Sequence, residues 1–233
     1  MSKEEFFLAN KYAVVSIILI SAFVILALVV SPKSILKSNS LTNQDNRLFL
    51  RINSSHFQVL NQFMIYLTQY GREIFWILVI FFLFIFGKKT GRKTAVVMSI
   101  SIIVLIPIGM ITKEFIERPR PIVPDTDFLI AADPEYAFPS GHALIVSSGA
   151  AVALVLMRGS SIQVIVALLL TTEAALVCLS RVYVGGHYPL DVLGGILLGV
   201  GVSFVILWKE KELETKYFHL IRIIKNLKTK WSL

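Results

Sequence analysis

The sequence is poor in cysteine, and this excludes whole classes of fold and site. Cys178 is its only cysteine, and it lies within an apolar run. One thiol cannot build an intrachain disulfide framework or a metal site made of several cysteines. The sequence therefore excludes a small disulfide-stapled fold and a thiolate metal centre.

Charged residues are also scarce. Only 16% of the 233 residues are charged and 55% are hydrophobic, whereas soluble domains average about 25% charged and roughly 45–50% apolar residues. The mean hydropathy is +0.73, and the apolar residues are gathered in blocks. Because about 20 apolar residues suffice to span a bilayer, the composition predicts a multi-pass membrane protein.

These blocks predict an all-α fold, a six-transmembrane-helix bundle with short interfacial helices between the first and second spans. The predicted spans cover residues 12–30, 71–86, 94–112, 142–157, 162–179 and 191–208, and the interfacial helices cover 44–52 and 57–68. The chain then divides into the first span with its outer connecting segment (1–56), a core (57–208) and a basic tail (209–233).

The net charge of +8 is concentrated beside the predicted spans. The basic residues on one side of the bundle are Lys88, Lys89, Arg92, Lys93, Arg158 and those from Lys209 onward. The positive-inside rule places this side and both termini in the cytoplasm. The loops at 31–70, 113–141 and 180–190 then share the outer face. Orientation and contact with anionic membrane lipids explain the charge better than nucleic-acid binding does.

The first polar motif lies between the last two spans and runs from Ser180 to Asp191. Pro189 is suited to the first turn of a helix, which would place Asp191 near the positive end of the helix dipole. From there Asp191 can orient the His187 imidazole and stabilise its charged form. Arg181 supplies a planar fork suited to phosphate. The alternative interpretation is a capped helix with a satisfied histidine.

The second motif, Pro139-Ser140-Gly141-His142, immediately precedes the fourth span. Ser140 is a natural N-cap, and the free N–H groups of the first helical turn form an anion site. Gly141 permits close approach to the backbone, and His142 adds an ionisable ring. An ordinary capped helix with an interfacial histidine is equally consistent with this motif alone.

The third motif follows the third span. Lys113 ends that span, and the prolines around Arg120 keep the segment extended, so Arg120 is held away from the helix axis. Two cations separated in this way can bind two oxygens of one phosphate. Taken alone, they are more typical of membrane-flanking anchors.

Together the three motifs resemble the signature of the type 2 phosphatidic acid phosphatase superfamily. That signature reads Lys-x6-Arg-Pro, Pro-Ser-Gly-His and Ser-Arg-x5-His-x3-Asp, and the sequence matches each fixed position. The superfamily includes lipid phosphate phosphatases, bacterial undecaprenyl pyrophosphate phosphatases and soluble haloperoxidases. The resemblance covers roughly residues 57–208, whereas the first span and the tail are generic.

The resemblance implies a phosphatase that needs neither metal nor cofactor. It implies that His187 is a nucleophile forming a phosphohistidine, that Asp191 orients it, and that His142 is the general acid. The phosphoryl oxygens would be held by Lys113, Arg120, Ser140, Gly141 and Arg181.

The expected substrates and partners are a lipid phosphate or pyrophosphate and the surrounding membrane lipids. Isoprenoid pyrophosphates rank first, followed by phosphatidic acid or phosphatidylglycerol phosphate. A haloperoxidase is disfavoured by the six spans. A non-catalytic lipid transporter is disfavoured because each proposed catalytic group is present and only Glu173 is an ionisable residue deep in a span. The oligomeric state is left open.

Two expectations concern packing. Gly195 and Gly199 in the sixth span and the small residues 147–150 in the fourth predict that these spans pack closely and hold His142 beside His187. We expect Glu173 to face protein, protonated or hydrogen-bonded, because an ionised carboxylate facing lipid is costly.

Overall fold

The computed structural model describes residues 3–33, 40–54, 56–122, 129–130 and 134–230, with side chains described within 10–210. These residues form eight α-helices and no strand, so the all-α prediction is confirmed. The helices are α1 (Lys3–Val30), α2 (Ser40–Asn53), α3 (Gln58–Tyr70), α4 (Glu73–Phe86), α5 (Lys88–Ile116), α6 (Gly141–Leu156), α7 (Ser161–Tyr183) and α8 (Pro189–Lys230). The end of the predicted basic tail, 231–233, lies outside the described residues.

Four helices are long and apolar enough to cross a membrane. They are α1 from Asn10, α5, α7 and α8 up to Glu210. α3 and α4 meet at a bend of 59° and make a fifth candidate if they count as one span. α6 has only 16 residues, which at 1.5 Å per residue reach about 24 Å, less than the ~30 Å of hydrocarbon. The chain is thus a multi-pass membrane protein with four to five candidate spans among the residues that the structure describes, and six are not confirmed.

The connection at 87–93 that the predicted spans 71–86 and 94–112 leave between them is shorter in the structure. Only Gly87 separates α4 from α5, and the lysines and arginines that follow form the first turns of α5. Both residue types favour helix. A Cβ on Gly87 would lie 2.5 Å from the Cα of Gly91, so only glycine permits this close reversal. α5 also continues through Pro107 to Ile116.

The predicted contact between the fourth and sixth spans is confirmed as the packing of α6 on α8. A Cβ on Gly195 would lie 2.6 Å from the Ser140 carbonyl oxygen. Further along, the hydroxyls of Ser148 and Ser203 are hydrogen-bonded at 2.7 Å. One expectation is corrected, because Gly149 lies against the Trp76 ring of α4. The α6–α8 contact therefore uses Gly195, Gly199, Ser147 and Ser148 as expected, whereas Gly149 contacts α4.

Glu173 faces protein, as predicted. Its carboxylate accepts a hydrogen bond from the Trp76 indole N–H at 3.1 Å, between α7 and α4. The neighbouring hydroxyls of Thr171 and Thr172 donate instead to carbonyls of their own helix. The partner of Glu173 is thus an indole of another helix, which ties α4 to α7.

We expect Gly199→Ala to destabilise the bundle. The added Cβ would lie 2.5 Å from Ser147 Oγ and close to the Leu144 carbonyl, and overpacking of this kind costs about 1–3 kcal/mol. Gly109→Ala is the matched control, because its Cβ would meet Leu144 Cδ1 at an ordinary 3.6 Å. The measurement is the thermal unfolding midpoint in one detergent. Equal midpoints for the two variants would contradict the α6–α8 packing.

Candidate active site

The three sequence motifs meet where four helices end or begin. Lys113 lies in the last turn of α5 and Arg181 in the last turn of α7. Ser140 is the N-cap of α6, and Asp191 lies in the first turn of α8. Because these ends share one side of the bundle, residues far apart in sequence surround one small volume.

His187 is one of the fully buried site residues, together with Ser140 and Asp191. The side chain is buried in the short loop before α8, which begins at Pro189 as predicted. Its Nδ1 lies 3.7 Å from Asp191 Oδ2, and its Nε2 lies 3.3 Å from Arg120 Nη1. One ring nitrogen therefore faces a carboxylate, and the other faces the cationic side of the site.

The environment keeps this imidazole neutral. Burial, and then the positive charges of Arg181, Arg120 and Lys113, lower the pKa of His187 well below 6.5. As the pH falls, the ring takes up a proton only well below pH 6.5, so it is uncharged at neutral pH. A neutral imidazole surrounded by cations has a lone pair available for an electrophile that carries negative charge.

Asp191 is fixed by a buried network of charges. Its Oδ1 accepts from Arg118 Nη1 at 2.6 Å, and its Oδ2 accepts from the Tyr188 N–H at 2.9 Å. Arg118 also donates to Asp45 Oδ2 at 2.6 Å, and Asp45 Oδ1 accepts from the Leu190 N–H at 2.9 Å. Burial lowers the pKa of Arg118, but the two carboxylates outweigh it and raise that pKa above the ordinary value, so Arg118 stays charged.

Sequence reasoning missed Arg118 and Asp45. Arg118 lies two residues before Arg120, with Pro119 between them in an extended segment. The Arg-Pro-Arg-Pro run was a usable signal that both arginines have fixed positions. Asp45 offered none, because it lies in α2 among polar residues that predict only an interfacial helix.

The other predicted cations are each held by a partner. Arg120 donates from Nε to the Glu135 carbonyl at 2.7 Å and from Nη1 to the Gly186 carbonyl at 2.8 Å. Lys113 forms an ion pair with the Glu135 carboxylate, so both cations of the third motif meet at one residue. Arg181 donates to the Thr68 hydroxyl. An anion entering the site would compete with Glu135 for Lys113.

The second motif lies beside the first, with one correction. Ser140 is the N-cap of α6, but its hydroxyl makes no cap hydrogen bond. That hydroxyl is buried and has no hydrogen-bond partner within the described part of the chain. The Ser140 N–H donates to the Asp191 carbonyl at 3.0 Å, which joins the start of α6 to the start of α8.

His142 is oriented through both ring nitrogens. Its Nε2 lies 3.0 Å from the Thr68 carbonyl oxygen, which can only accept, so Nε2 carries the hydrogen. Its Nδ1 lies 3.4 Å from Arg72 Nη1. Thr68 therefore contacts both His142 and Arg181. Neither Thr68 nor Arg72 belongs to a motif, and no signal in the sequence singled them out.

The arrangement suits an anion with several oxygens. Within the described ranges, no group of three or more His, Cys, Asp or Glu side chains is placed to hold a metal ion. Positive charge around the two histidines comes from side chains, with Arg120 and Arg181 on planar forks suited to phosphate. Such a site can bind a phosphoryl group and present His187 to it.

Three comparisons with known proteins agree with this chemistry. The model of the PAP2 superfamily matches residues 92–214. The chain is 41% identical over 160 residues to an undecaprenyl-diphosphatase of Sulfolobus acidocaldarius, covering 68% of this chain and 74% of that one. It is 32% identical over 181 residues to sphingosine-1-phosphate phosphatase 1 of Rattus norvegicus, covering 73% of this chain and 39% of the relative. The solved PAP2-type phosphatidylglycerolphosphate phosphatase of Bacillus subtilis shares the fold, with a TM-score of 0.66 at 24% identity over 84% of this chain and 96% of the other.

We expect Arg118→Met to destabilise the protein strongly. Removing one partner of a buried ion pair costs about 3–5 kcal/mol, and here Asp45 and Asp191 would both lose their cation. Lys33→Met is the matched control, because the Lys33–Glu117 pair has exposed side chains, 60% and 39%, and such pairs contribute ~0–1 kcal/mol. Thermal unfolding in detergent measures the difference. If the two variants lose equal stability, the network does not stabilise the site.

Proposed function

The chain belongs to the PAP2 superfamily and is a membrane lipid phosphatase, and from this premise we propose that it hydrolyses an isoprenoid pyrophosphate of the undecaprenyl type. The observation that carries the proposal is the convergence of the three motifs on the buried His187. The relative from Sulfolobus acidocaldarius, an undecaprenyl-diphosphatase by name at 41% identity, favours the pyrophosphate.

In the proposed first step, His187 Nε2 attacks the terminal phosphorus of the pyrophosphate. The N–P bond forms as the bond from that phosphorus to the bridging oxygen breaks, and lipid monophosphate leaves. Nδ1 faces Asp191 at 3.7 Å, so the carboxylate can stabilise the positive charge that the ring acquires. The product of this step is a phosphohistidine.

The transferred phosphoryl group needs its negative charge stabilised in the transition state. In the proposal, the groups that contact its oxygens are Lys113, Arg120, Arg181, the Ser140 hydroxyl and the Gly141 backbone. Three of them are permanent or near-permanent cations. The buried Ser140 hydroxyl, without a partner among the residues that the structure describes, is available to donate.

His142 is proposed to move the protons. Because its Nε2–H is bonded to the Thr68 carbonyl, the proton that it donates to the leaving oxygen in the first step is carried on Nδ1, and Nδ1 accepts a proton again from water in the second step. Water oxygen then bonds to the phosphorus of the phosphohistidine as the N–P bond breaks, releasing inorganic phosphate and free His187. The hydrogen bond to the Thr68 carbonyl at 3.0 Å keeps the ring oriented.

The proposed topology is six crossings with both termini in the cytoplasm and the site on the extracytoplasmic side. The bent pair α3–α4 would count as one crossing and the short α6 as another. Basic residues support this, because Lys88, Lys93 and Arg158 lie at helix ends opposite the site. Lys93 also pairs with Glu210 at that end. Cytoplasmic placement of this end follows the positive-inside rule.

A phosphate monoester is the second candidate substrate. The relative from Rattus norvegicus, a sphingosine-1-phosphate phosphatase by name, favours this alternative. Phosphatidic acid and phosphatidylglycerol phosphate belong to the same chemical class. All of these would use the same attack by His187, but their leaving group is an alcohol.

A substrate panel on the purified full chain tests the proposal. Phosphate release is measured with undecaprenyl pyrophosphate, phosphatidic acid, phosphatidylglycerol phosphate and sphingosine-1-phosphate, each with EDTA. We expect the highest kcat/KM for the pyrophosphate and no loss with EDTA, because Lys113, Arg120 and Arg181 supply the positive charge. The His187→Ala protein is the blank. Activity that disappears with EDTA and returns with Mg²⁺ contradicts the site, and a tenfold preference for a monoester contradicts the substrate.

A further inference from the structure

Arg72 is a cation that reaches the site from outside the three motifs. It lies at the break between α3 and α4, immediately before the first residue of α4. Its side chain is 29% exposed and pairs with Glu73, which is 52% exposed. The guanidinium therefore lies at the mouth of the site, with one side towards solvent and the other towards α6.

The inner side of the guanidinium faces the second histidine. Arg72 Nη1 lies 3.4 Å from His142 Nδ1, and a Cβ on Gly141 would lie 3.5 Å from the same nitrogen. Its Nε is buried with no hydrogen-bond partner among the described residues. The start of α6 and the Arg72 guanidinium thus enclose one position beside His142.

This position differs from the one beside His187 that Arg120 and Lys113 flank, while Arg181 lies near both histidines, joined to His142 through Thr68. Arg120 contacts His187 Nε2, and Lys113 joins Arg120 through Glu135. Those cations lie around the nucleophile, where the transferred phosphoryl group would bind. Arg72 lies beside His142, the proposed acid, where the leaving group would be. The site consequently has positive charge at both ends of the bond that breaks.

The leaving groups of the two substrate classes differ in the charge that must be stabilised at this second position. A monoester leaves as an alkoxide, which must receive a proton and carries no charge once protonated. A pyrophosphate leaves as a lipid-linked phosphate, which keeps negative charge after the P–O bond breaks. An arginine fork binds phosphate oxygens bidentately but gives little to a neutral alcohol. Positive charge beside His142 is therefore useful chiefly for pyrophosphates.

We propose that Arg72 binds the lipid-linked phosphate of a pyrophosphate substrate and thereby favours pyrophosphates over phosphate monoesters. This rests on the proposed function, because it assigns a specificity residue to the same reaction. Arg72 contacts the phosphate that leaves with the lipid, whereas Lys113, Arg120 and Arg181 contact the phosphate that is transferred to His187.

Farnesyl pyrophosphate and farnesyl monophosphate test the proposal, because they share one lipid tail. For Arg72→Gln we expect kcat/KM for the pyrophosphate to fall about 10- to 100-fold, the size of a lost hydrogen bond to a charged group, and kcat/KM for the monophosphate to fall less than about threefold. Arg72→Lys keeps the charge but not the bidentate fork, so its preference should fall between those of the unaltered protein and Arg72→Gln. Arg158→Gln is the control, since Arg158 lies beyond the opposite end of α6 and should leave both substrates unchanged.

The competing role for Arg72 is to position His142, and it predicts a different pattern. Loss of positioning would reduce protonation of the leaving group, so the monophosphate would suffer at least as much as the pyrophosphate. The His142→Ala protein shows this pattern for reference. Equal losses on the two substrates, or a larger loss on the monophosphate, would overturn the proposal.

Failure of the proposed function gives a distinct result. If the unaltered protein hydrolyses farnesyl monophosphate and not the pyrophosphate, the proposed substrate and the role of Arg72 both fail. If Arg72→Gln does not fold, binding decides the question in the His187→Ala background. In that background, Arg72→Lys should weaken the binding of farnesyl pyrophosphate more than that of farnesyl monophosphate if the arginine fork binds the lipid-linked phosphate. Equal affinities with and without Arg72→Lys would count against it.

Discussion

The site depends on one buried carboxylate at the start of α8. Asp191 faces His187 through Oδ2 and binds Arg118 through Oδ1. Its backbone carbonyl accepts from the Ser140 N–H, so the same residue also fixes the start of α6. The nucleophile loop, the arginine segment after α5 and the second histidine motif are thus all joined to Asp191. Displacing it would disturb all three motifs together.

Burying this carboxylate requires a countercharge, and that charge comes with a further carboxylate. Arg118 is shared between Asp191 and Asp45, and the Asp45 oxygen in turn accepts from the Leu190 N–H. Both oxygens of each carboxylate and both terminal nitrogens of Arg118 have a hydrogen-bond partner, which is the condition under which buried charges are tolerated. Lys113, Arg120 and Arg181 repel one another electrostatically at such close range. The negative charge of Glu135 reduces this repulsion, and the neutral His187 adds no further positive charge. The negative charge of a phosphate substrate would balance the remaining positive charge of the site.

The sequence was most informative where chemistry requires fixed residue types at fixed spacings. His187 and Asp191, four residues apart across a helix start, could be paired from the sequence because Pro189 predicts where α8 begins. The α6–α8 contact could be predicted from small residues. Asp45, Thr68 and Arg72 could not, because they approach the site only through tertiary packing of α2 and the bent pair α3–α4. The connection left between the second and third predicted spans is shorter than expected, because lysine and arginine favour helix and extend α5 back to Lys88, and the single Gly87 fits the tight reversal.

Formation of a phosphohistidine on His187 is the central claim, and one measurement tests it most directly. The purified protein is mixed with lipid pyrophosphate labelled in its terminal phosphate, quenched within milliseconds in alkali, which spares the N–P bond, and digested for mass spectrometry. The account predicts label on the peptide that contains His187, released on acidification, and none in the His187→Ala protein. Label on a different residue, or label that persists in His187→Ala, would contradict it.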